Sequence, residues 1–71
     1  MRYAVIIERT ETGYSAYVPD LPGCVSTGRT LAEIELNIRE VIEYHIEGLL
    51  EDGDPIPEPT SRVIEIELPV A

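Results

Sequence analysis

The sequence has 71 residues, with 14 acidic side chains against five arginines and no lysine, which gives a net charge of −9. A chain of this length is expected to form one small domain, residues 1–71, that buries only about 60% of its unfolded surface. The negative charge argues against direct nucleic-acid binding, which relies on Lys and Arg. The single cysteine, and the absence of a signal peptide or of a long apolar run, predict a cytoplasmic protein without membrane association.

The N-terminal third of the chain predicts a β-hairpin. Residues 2–8 are β-branched, aromatic or aliphatic, residues 9–13 supply turn-forming Thr and Gly, and residues 14–18 resume the strand pattern until Pro19 ends it. Side chains on both faces of the first strand are apolar, and one helix can cover only one of those faces. We therefore expect the chain to form a homo-oligomer.

A third strand and a helix are predicted next. Residues 20–23 form a proline-containing loop, and residues 24–28 read as a strand that returns beside the second. Thr30 and Glu33 have the spacing of a capping box, in which each side chain binds the backbone N–H of the other residue. The helix is expected over residues 31–51, because Gly and Pro follow directly.

The predicted helix has two chemically different faces. Helical spacing places one apolar stripe toward the sheet and an acidic stripe, flanked by Glu43, on the opposite side, where Leu36 and Tyr44 interrupt it. The apolar stripe comprises Leu31, Ile34, Ile38, Val41, Ile42, His45 and Leu49; the acidic stripe comprises Glu33, Glu40, Glu47 and Glu51.

The C-terminal part predicts an extended connector followed by a fourth strand. Prolines alternate in residues 54–61, which favours polyproline geometry. Residues 62–68 alternate between apolar and acidic side chains, as in a strand with one wet face, and could pair within the subunit or with another. The predicted fold is α+β, in the order β-β-β-α-β, with a mostly antiparallel sheet and the helix packed on one face.

Candidates for catalysis are few. His45 lies on the apolar stripe and is expected to be largely buried, and Cys24 at a strand start is expected to be a small buried hydrophobe. Asp52, Asp54 and Glu58 lack the ligand spacing of a calcium loop. We therefore predict no enzyme activity, no cofactor and no metal; an enzyme that uses Cys24 or His45 is the weaker alternative.

The acidic stripe is the feature from which composition and spacing suggest a function. It could be a solvated face that keeps the protein soluble, or it could dock on a basic protein surface, where complementary fields speed association. Reasoning from the residues leaves both interpretations open.

The segment from Tyr14 to Thr30, followed by Glu33, Asn37 and Glu40, closely resembles the HicB-like antitoxin family of type II toxin–antitoxin systems. The signature combines Pro-Asp-Leu-Pro-Gly-Cys, a Ser and a Gly before the helix, and Thr-x-x-Glu-x-x-x-Asn. The resemblance implies that these residues have structural rather than catalytic roles: Pro19, Asp20, Pro22, Gly23, Cys24, Ser26, Gly28, Thr30, Glu33 and Asn37.

The same resemblance implies a partner. Members of this family neutralise a small basic, HicA-like toxin that cleaves messenger RNA, and they commonly assemble as dimers or tetramers. Glu40, Glu43, Glu47 and Glu51 are the candidate contacts with such a toxin. The sequence stops at Ala71, before the DNA-binding segment of many relatives, so the resemblance does not extend to operator binding. An orphan homo-oligomeric module without a toxin is the alternative function.

Overall fold

The computed structural model describes residues 1–70, which form a three-stranded antiparallel sheet with one helix on one face. The strands are β1 (Ile6–Arg9), β2 (Tyr14–Tyr17) and β3 (Val25–Gly28), side by side in that order, and the helix is α1 (Leu31–Asp52). The predicted α+β class and the antiparallel sheet are confirmed.

β1 begins four residues later than the sequence predicts, because the chain opposite it leaves the ladder. Ile6 lies opposite Tyr17. Beyond that pair, the backbone N–H of Val18 donates to the loop that precedes β3 at 3.2 Å, and Pro19 has no N–H to donate. Residues 2–5 therefore lie outside the strand.

α1 begins and ends at the predicted signals. The Thr30 hydroxyl accepts a hydrogen bond from the Glu33 N–H at 3.1 Å, as a capping box requires, but the Glu33 carboxylate accepts from the N–H of Arg29, at 3.2 Å, rather than from that of Thr30. Gly53 follows the helix in the left-handed region, with φ of 69°, and its N–H returns to the last turn. The helix is one residue longer than the predicted 31–51.

The core lies between the helix and the inner face of the sheet. α1 packs over β3 and β2, while β1 lies to the side. Leu31, predicted on the buried stripe, is 52% exposed, because it lies in the first helical turn, past the end of β3. The buried core residues are Ala16, Val18, Leu21, Cys24, Ile34 and Ile38.

The outer face of the sheet is apolar and uncovered at one end. Ile6, Tyr17 and Val25 lie side by side across the three strands, on the face opposite the helix. Tyr17 is 41% exposed and Val25 is 63% exposed. The apolar character of both sheet faces follows the sequence pattern, and the helix covers one of them.

The predicted fourth strand is not formed within the single chain. Residues 62–70 are exposed throughout, and no backbone hydrogen bond joins residues 62–68 to a strand in the described part of the chain. The radius of gyration is 14.2 Å, against about 11 Å for a compact domain of this length. The segment stays unpaired because the connector before it is bound elsewhere, at the end of the sheet.

Candidate functional site

The outer side of α1 carries an exposed acidic surface, hereafter the acidic face. It points away from the sheet because Ile34 and Ile38, on the opposite side of the helix, are buried in the core. Leu36 and Tyr44 are 56% and 80% exposed among the acids, as the sequence predicts. The exposed glutamates of this face are Glu33, Glu40, Glu43, Glu47 and Glu51.

The acidic face is strongly negative. Arg39, the only Arg or Lys in the helix, lines the groove beside β1 together with Glu35 and Glu43. One arginine is outnumbered by the five glutamates of the acidic face, so the face keeps a negative field. Tyr44 and Leu36 add apolar area of the kind that carries affinity at protein interfaces.

Asp20, in the loop between β2 and β3, binds the end of the connector. Its Oδ2 accepts hydrogen bonds from the backbone N–H groups of Thr60 and Ser61, both at 2.9 Å, and its Oδ1 accepts from their hydroxyls, both at 3.0 Å. The bond from the Ser61 N–H does most to hold the pKa of Asp20 below its ordinary value of 3.8, although desolvation acts in the opposite direction. The sequence gives no signal for this contact between residues 40 positions apart.

The rest of the proline-containing loop is a compact turn around one buried side chain. Leu21 has no exposed surface; its N–H donates to the carbonyl of Val18, and its own carbonyl accepts from Cys24, both at 3.1 Å. Pro22 is exposed, as is Pro19, and Gly23 adopts a left-handed φ of 88°. Because Cys24 belongs to this turn, β3 begins one residue later than predicted.

β3 and the start of α1 approach each other closely. A Cβ atom at Gly28 would lie 2.8 Å from the backbone nitrogen of Ile34. The Asn37 side-chain Nδ2 donates to the Thr27 carbonyl at 2.9 Å and ties the second helical turn to the strand. Ser26 is half-buried on the inner face, opposite Ala16. These residues fix the position of the helix and therefore the direction of the acidic face.

The two candidate catalytic side chains, Cys24 and His45, differ in burial. Cys24 is buried, and desolvation raises the pKa of its thiol, whereas a nucleophilic cysteine needs a lowered pKa. His45 is half-buried rather than largely buried, because Gly23 and Gly48 beside it have no side chains to cover it. The sequence overstates the burial of His45 because helical spacing does not show which neighbours face it.

The described residues contain neither a cluster of metal ligands nor a membrane-spanning helix. Within residues 1–70, no three His, Cys, Asp or Glu side chains come together in a group able to hold a metal ion. Asp52, Asp54 and Glu58 are all exposed. In the same part of the chain, no helix combines the length and the apolar character needed to cross a bilayer.

The structure is a small α+β domain whose single helix carries an exposed acidic face. A family model described as "HicB_like antitoxin of bacterial toxin-antitoxin system" matches residues 3–67. The chain belongs to this family, as the resemblance in the sequence indicates.

Relatives in phage and archaea share most of this chain. A 14.9 kDa protein of Haemophilus phage HP1 is 51% identical over 57 residues, which are 80% of this chain and 43% of the phage protein. A UPF0150 protein of Thermoplasma acidophilum is 40% identical over 93% of this chain and 97% of its own length. The chain thus spans less than half of the phage relative and nearly all of the archaeal one.

Solved structures share the fold. A chain in a "HicA3 and HicB3 toxin-antitoxin complex" is 38% identical, with a TM-score of 0.71 over 84% of this chain and 70% of that chain. The structure titled "Antitoxin HicB3 crystal structure" matches with the same identity and TM-score, over 44% of its chain.

Proposed function

We propose that this chain is an antitoxin that binds and neutralises a HicA-like toxin, a small basic ribonuclease that cleaves messenger RNA. The acidic face is the observation that carries the proposal, with Glu40, Glu43, Glu47 and Glu51 as the contact residues. Membership of the antitoxin family supports the role, as does the similarity to a chain from a toxin–antitoxin complex.

In this mechanism, the antitoxin and the RNA compete for the same Lys and Arg side chains of the toxin. An enzyme that cleaves RNA binds a polyanion and needs Lys and Arg on its surface for the phosphates. The acidic face offers carboxylates to those cations, and complementary fields of this kind raise association rates by about 10- to 1,000-fold. Leu36 and Tyr44 then give apolar contacts that slow dissociation. The bound antitoxin excludes RNA from the toxin by occupying its surface.

The proposed mechanism involves no covalent chemistry and no cofactor. Neutralisation requires only that the complex outlast an encounter between toxin and RNA, and the Cys24 side chain is buried in the core. The protein is proposed to act in the cytoplasm, where the toxin meets its substrate, and to act as a homo-oligomer, because both faces of its sheet carry apolar side chains.

The test is charge reversal on the acidic face. A catalytically inactive HicA-like toxin is immobilised, and association with the double variant Glu40→Lys/Glu47→Lys is measured by surface plasmon resonance at low and moderate salt. We expect the association rate constant to fall at least about tenfold at low salt, and the salt dependence to be flatter than that of the wild type.

The matched control is Glu11→Lys/Glu58→Lys, which changes the net charge by the same amount at exposed positions outside β1 and α1. It should alter association far less than the helix variant. Equal effects of the two variants would show that net charge alone steers the encounter and would remove the acidic face from the proposal.

An orphan homo-oligomeric module is the second candidate function, and the unpaired segment 62–68 favours it. Gene context distinguishes the two. A small basic reading frame next to this gene supports the antitoxin function, whereas its absence, together with failure to protect cells from HicA-like toxins, supports the orphan module.

A further inference from the structure

The segment 62–68, hereafter the tail, has the sequence of a strand and no strand beside it. Ile64, Ile66 and Leu68 alternate with Glu65 and Glu67, so a pleated strand presents one apolar face. The three apolar side chains are 75%, 73% and 64% exposed. The family match runs through residue 67, so the tail is shared with the family model and is part of the domain. A strand of this kind is stable when it pairs with a sheet edge.

A vacant edge of matching chemistry lies along β1. β1 is at one side of the sheet, and residues 2–5 before it pair with nothing in the described chain. Because α1 packs over β2 and β3, an open groove remains between β1 and the helix, hereafter the β1 groove. Most of its lining is apolar or aromatic: Met1, Tyr3, Val5, Ile7, Ile38 and Ile42. The charged side chains of Glu35, Arg39 and Glu43 also line it.

The opposite edge of the sheet fits the tail less well. The depression beside β3 is lined by Ser26, Asn37 and Glu40 in addition to Val41 and Tyr44. This depression offers two apolar or aromatic side chains to the isoleucine and leucine face of the tail, whereas the β1 groove offers six. The tail therefore buries more apolar surface in the β1 groove. The β1 groove is therefore the better match for the tail.

The connector holds the tail away from the β1 groove of its own chain. The Tyr3 hydroxyl donates to the Pro57 carbonyl, and Asp20 binds Thr60 and Ser61. Extension of the β1–β2 register places Tyr3 opposite Asp20, so these contacts fix the connector at one end of the sheet. From there the tail runs into solvent and is exposed at every residue.

We propose that two copies of this chain exchange tails. The tail of each copy adds to the β1 edge of the other as a fourth strand, and its apolar face, Ile64, Ile66 and Leu68, fills the partner's β1 groove. A reciprocal exchange closes with two-fold symmetry, so it gives a dimer and not a fibre. It also adds buried apolar surface to a core that contains only six buried residues in the described chain.

The first test is the oligomeric state of the tail variant Ile64→Asp/Ile66→Asp in the full chain. Light scattering after gel filtration, across a dilution series, should give two chains for the wild type and one for this variant. The dimer dissociation constant should rise at least about a hundredfold. The control Glu65→Thr/Glu67→Thr changes the other face of the same strand and should remain a dimer. Helix content by circular dichroism should be unchanged in all three.

The second test asks whether the tail occupies the groove of another copy. Val5→Asp in the β1 groove should also give single chains, and mixing it with the tail variant should restore a dimer, because one intact tail then meets one intact groove. In the wild type, amide hydrogen exchange should show protected tail amides in the dimer, and this protection should be lost on dilution.

Four results would overturn the proposal. The first is a monomeric wild type, and the second is a tail variant that stays dimeric. The third is protection of the tail amides in the monomer, which would mean that the tail pairs with its own chain. The fourth is protection of the tail amides only when a basic toxin is added. Because the first three results are obtained with the antitoxin alone, a failure of tail exchange is distinguishable from a failure of toxin binding.

Discussion

The close approach of β3 to α1 predicts that a single methyl group at Gly28 destabilises the fold. The added Cβ would lie 2.8 Å from the nitrogen and 3.0 Å from the Cα of Ile34. Both are backbone atoms that cannot rotate away, so the strand and the helix have to separate, which also strains the 2.9 Å hydrogen bond from Asn37 to Thr27. Overpacking of this kind costs about 1–3 kcal/mol, and Gly28→Ala should lower the free energy of unfolding by that amount.

Gly48 provides the matched control within the same chain. It lies inside α1, and a Cβ there would meet no heavy atom within 4 Å. Alanine is about 0.8–1.0 kcal/mol better than glycine in a helix interior, so Gly48→Ala should stabilise the protein. The same substitution at two positions thus has opposite expected signs, and the two variants should differ by about 2–4 kcal/mol.

Thermal unfolding followed by circular dichroism at one fixed protein concentration checks this pair. One kcal/mol corresponds to a shift of about 4–8 °C in Tm for a domain of this size. We expect Gly28→Ala to melt below the wild type and Gly48→Ala to melt above it. A Gly28→Ala variant as stable as the wild type would refute the close packing of β3 on α1.

Three further outcomes follow from individual contacts. Thr30→Ala should cost about 1 kcal/mol in urea denaturation, and Thr30→Ser should restore most of it, because the helix cap needs the hydroxyl. Folding lowers the pKa of Asp20, so the contribution of Asp20 to stability is complete above pH 3.8 and is lost as the pH falls through the folded-state pKa. The amide chemical shifts of Thr60 and Ser61 should therefore titrate with a midpoint below 3.8. A higher midpoint would contradict the contact. Cys24 should resist thiol reagents at neutral pH until the protein unfolds.

Local patterns in the sequence predict the parts of the fold whose determinants are neighbours in the chain. The helix bounds follow from Thr30 and Gly53, whose effects extend over a few residues. The strand ends depend instead on what lies opposite. β1 is shorter than its β-branched run because the chain opposite it leaves the ladder at Pro19, and the tail is no strand in the isolated chain because it meets no edge.

The features of the candidate site also differ in whether they depend on residues that are distant in the sequence. The acidic face and its two apolar interruptions are predictable from helical spacing alone, because an exposed face needs no partner. The role of Asp20 is not predictable, since its four hydrogen bonds reach Thr60 and Ser61. The sequence places Leu21 in a loop and gives no sign that the turn of residues 18–24 buries its side chain completely. A side chain whose partners are distant in sequence shows no periodicity that would reveal it.

The two proposed surfaces lie on different sides of α1, which predicts that the dimer binds toxin at both acidic faces. Glu40 and Glu47 are on the outer side, Ile42 lines the β1 groove, and Glu43 borders both. Glu40→Lys should therefore slow toxin association without changing the dimer, whereas Glu43→Lys should affect both. Light scattering of the saturated complex should give two toxins for two antitoxin chains. Saturation at one toxin per dimer would mean that tail exchange brings the two acidic faces into a single shared site, and the assignment of separate surfaces would be wrong.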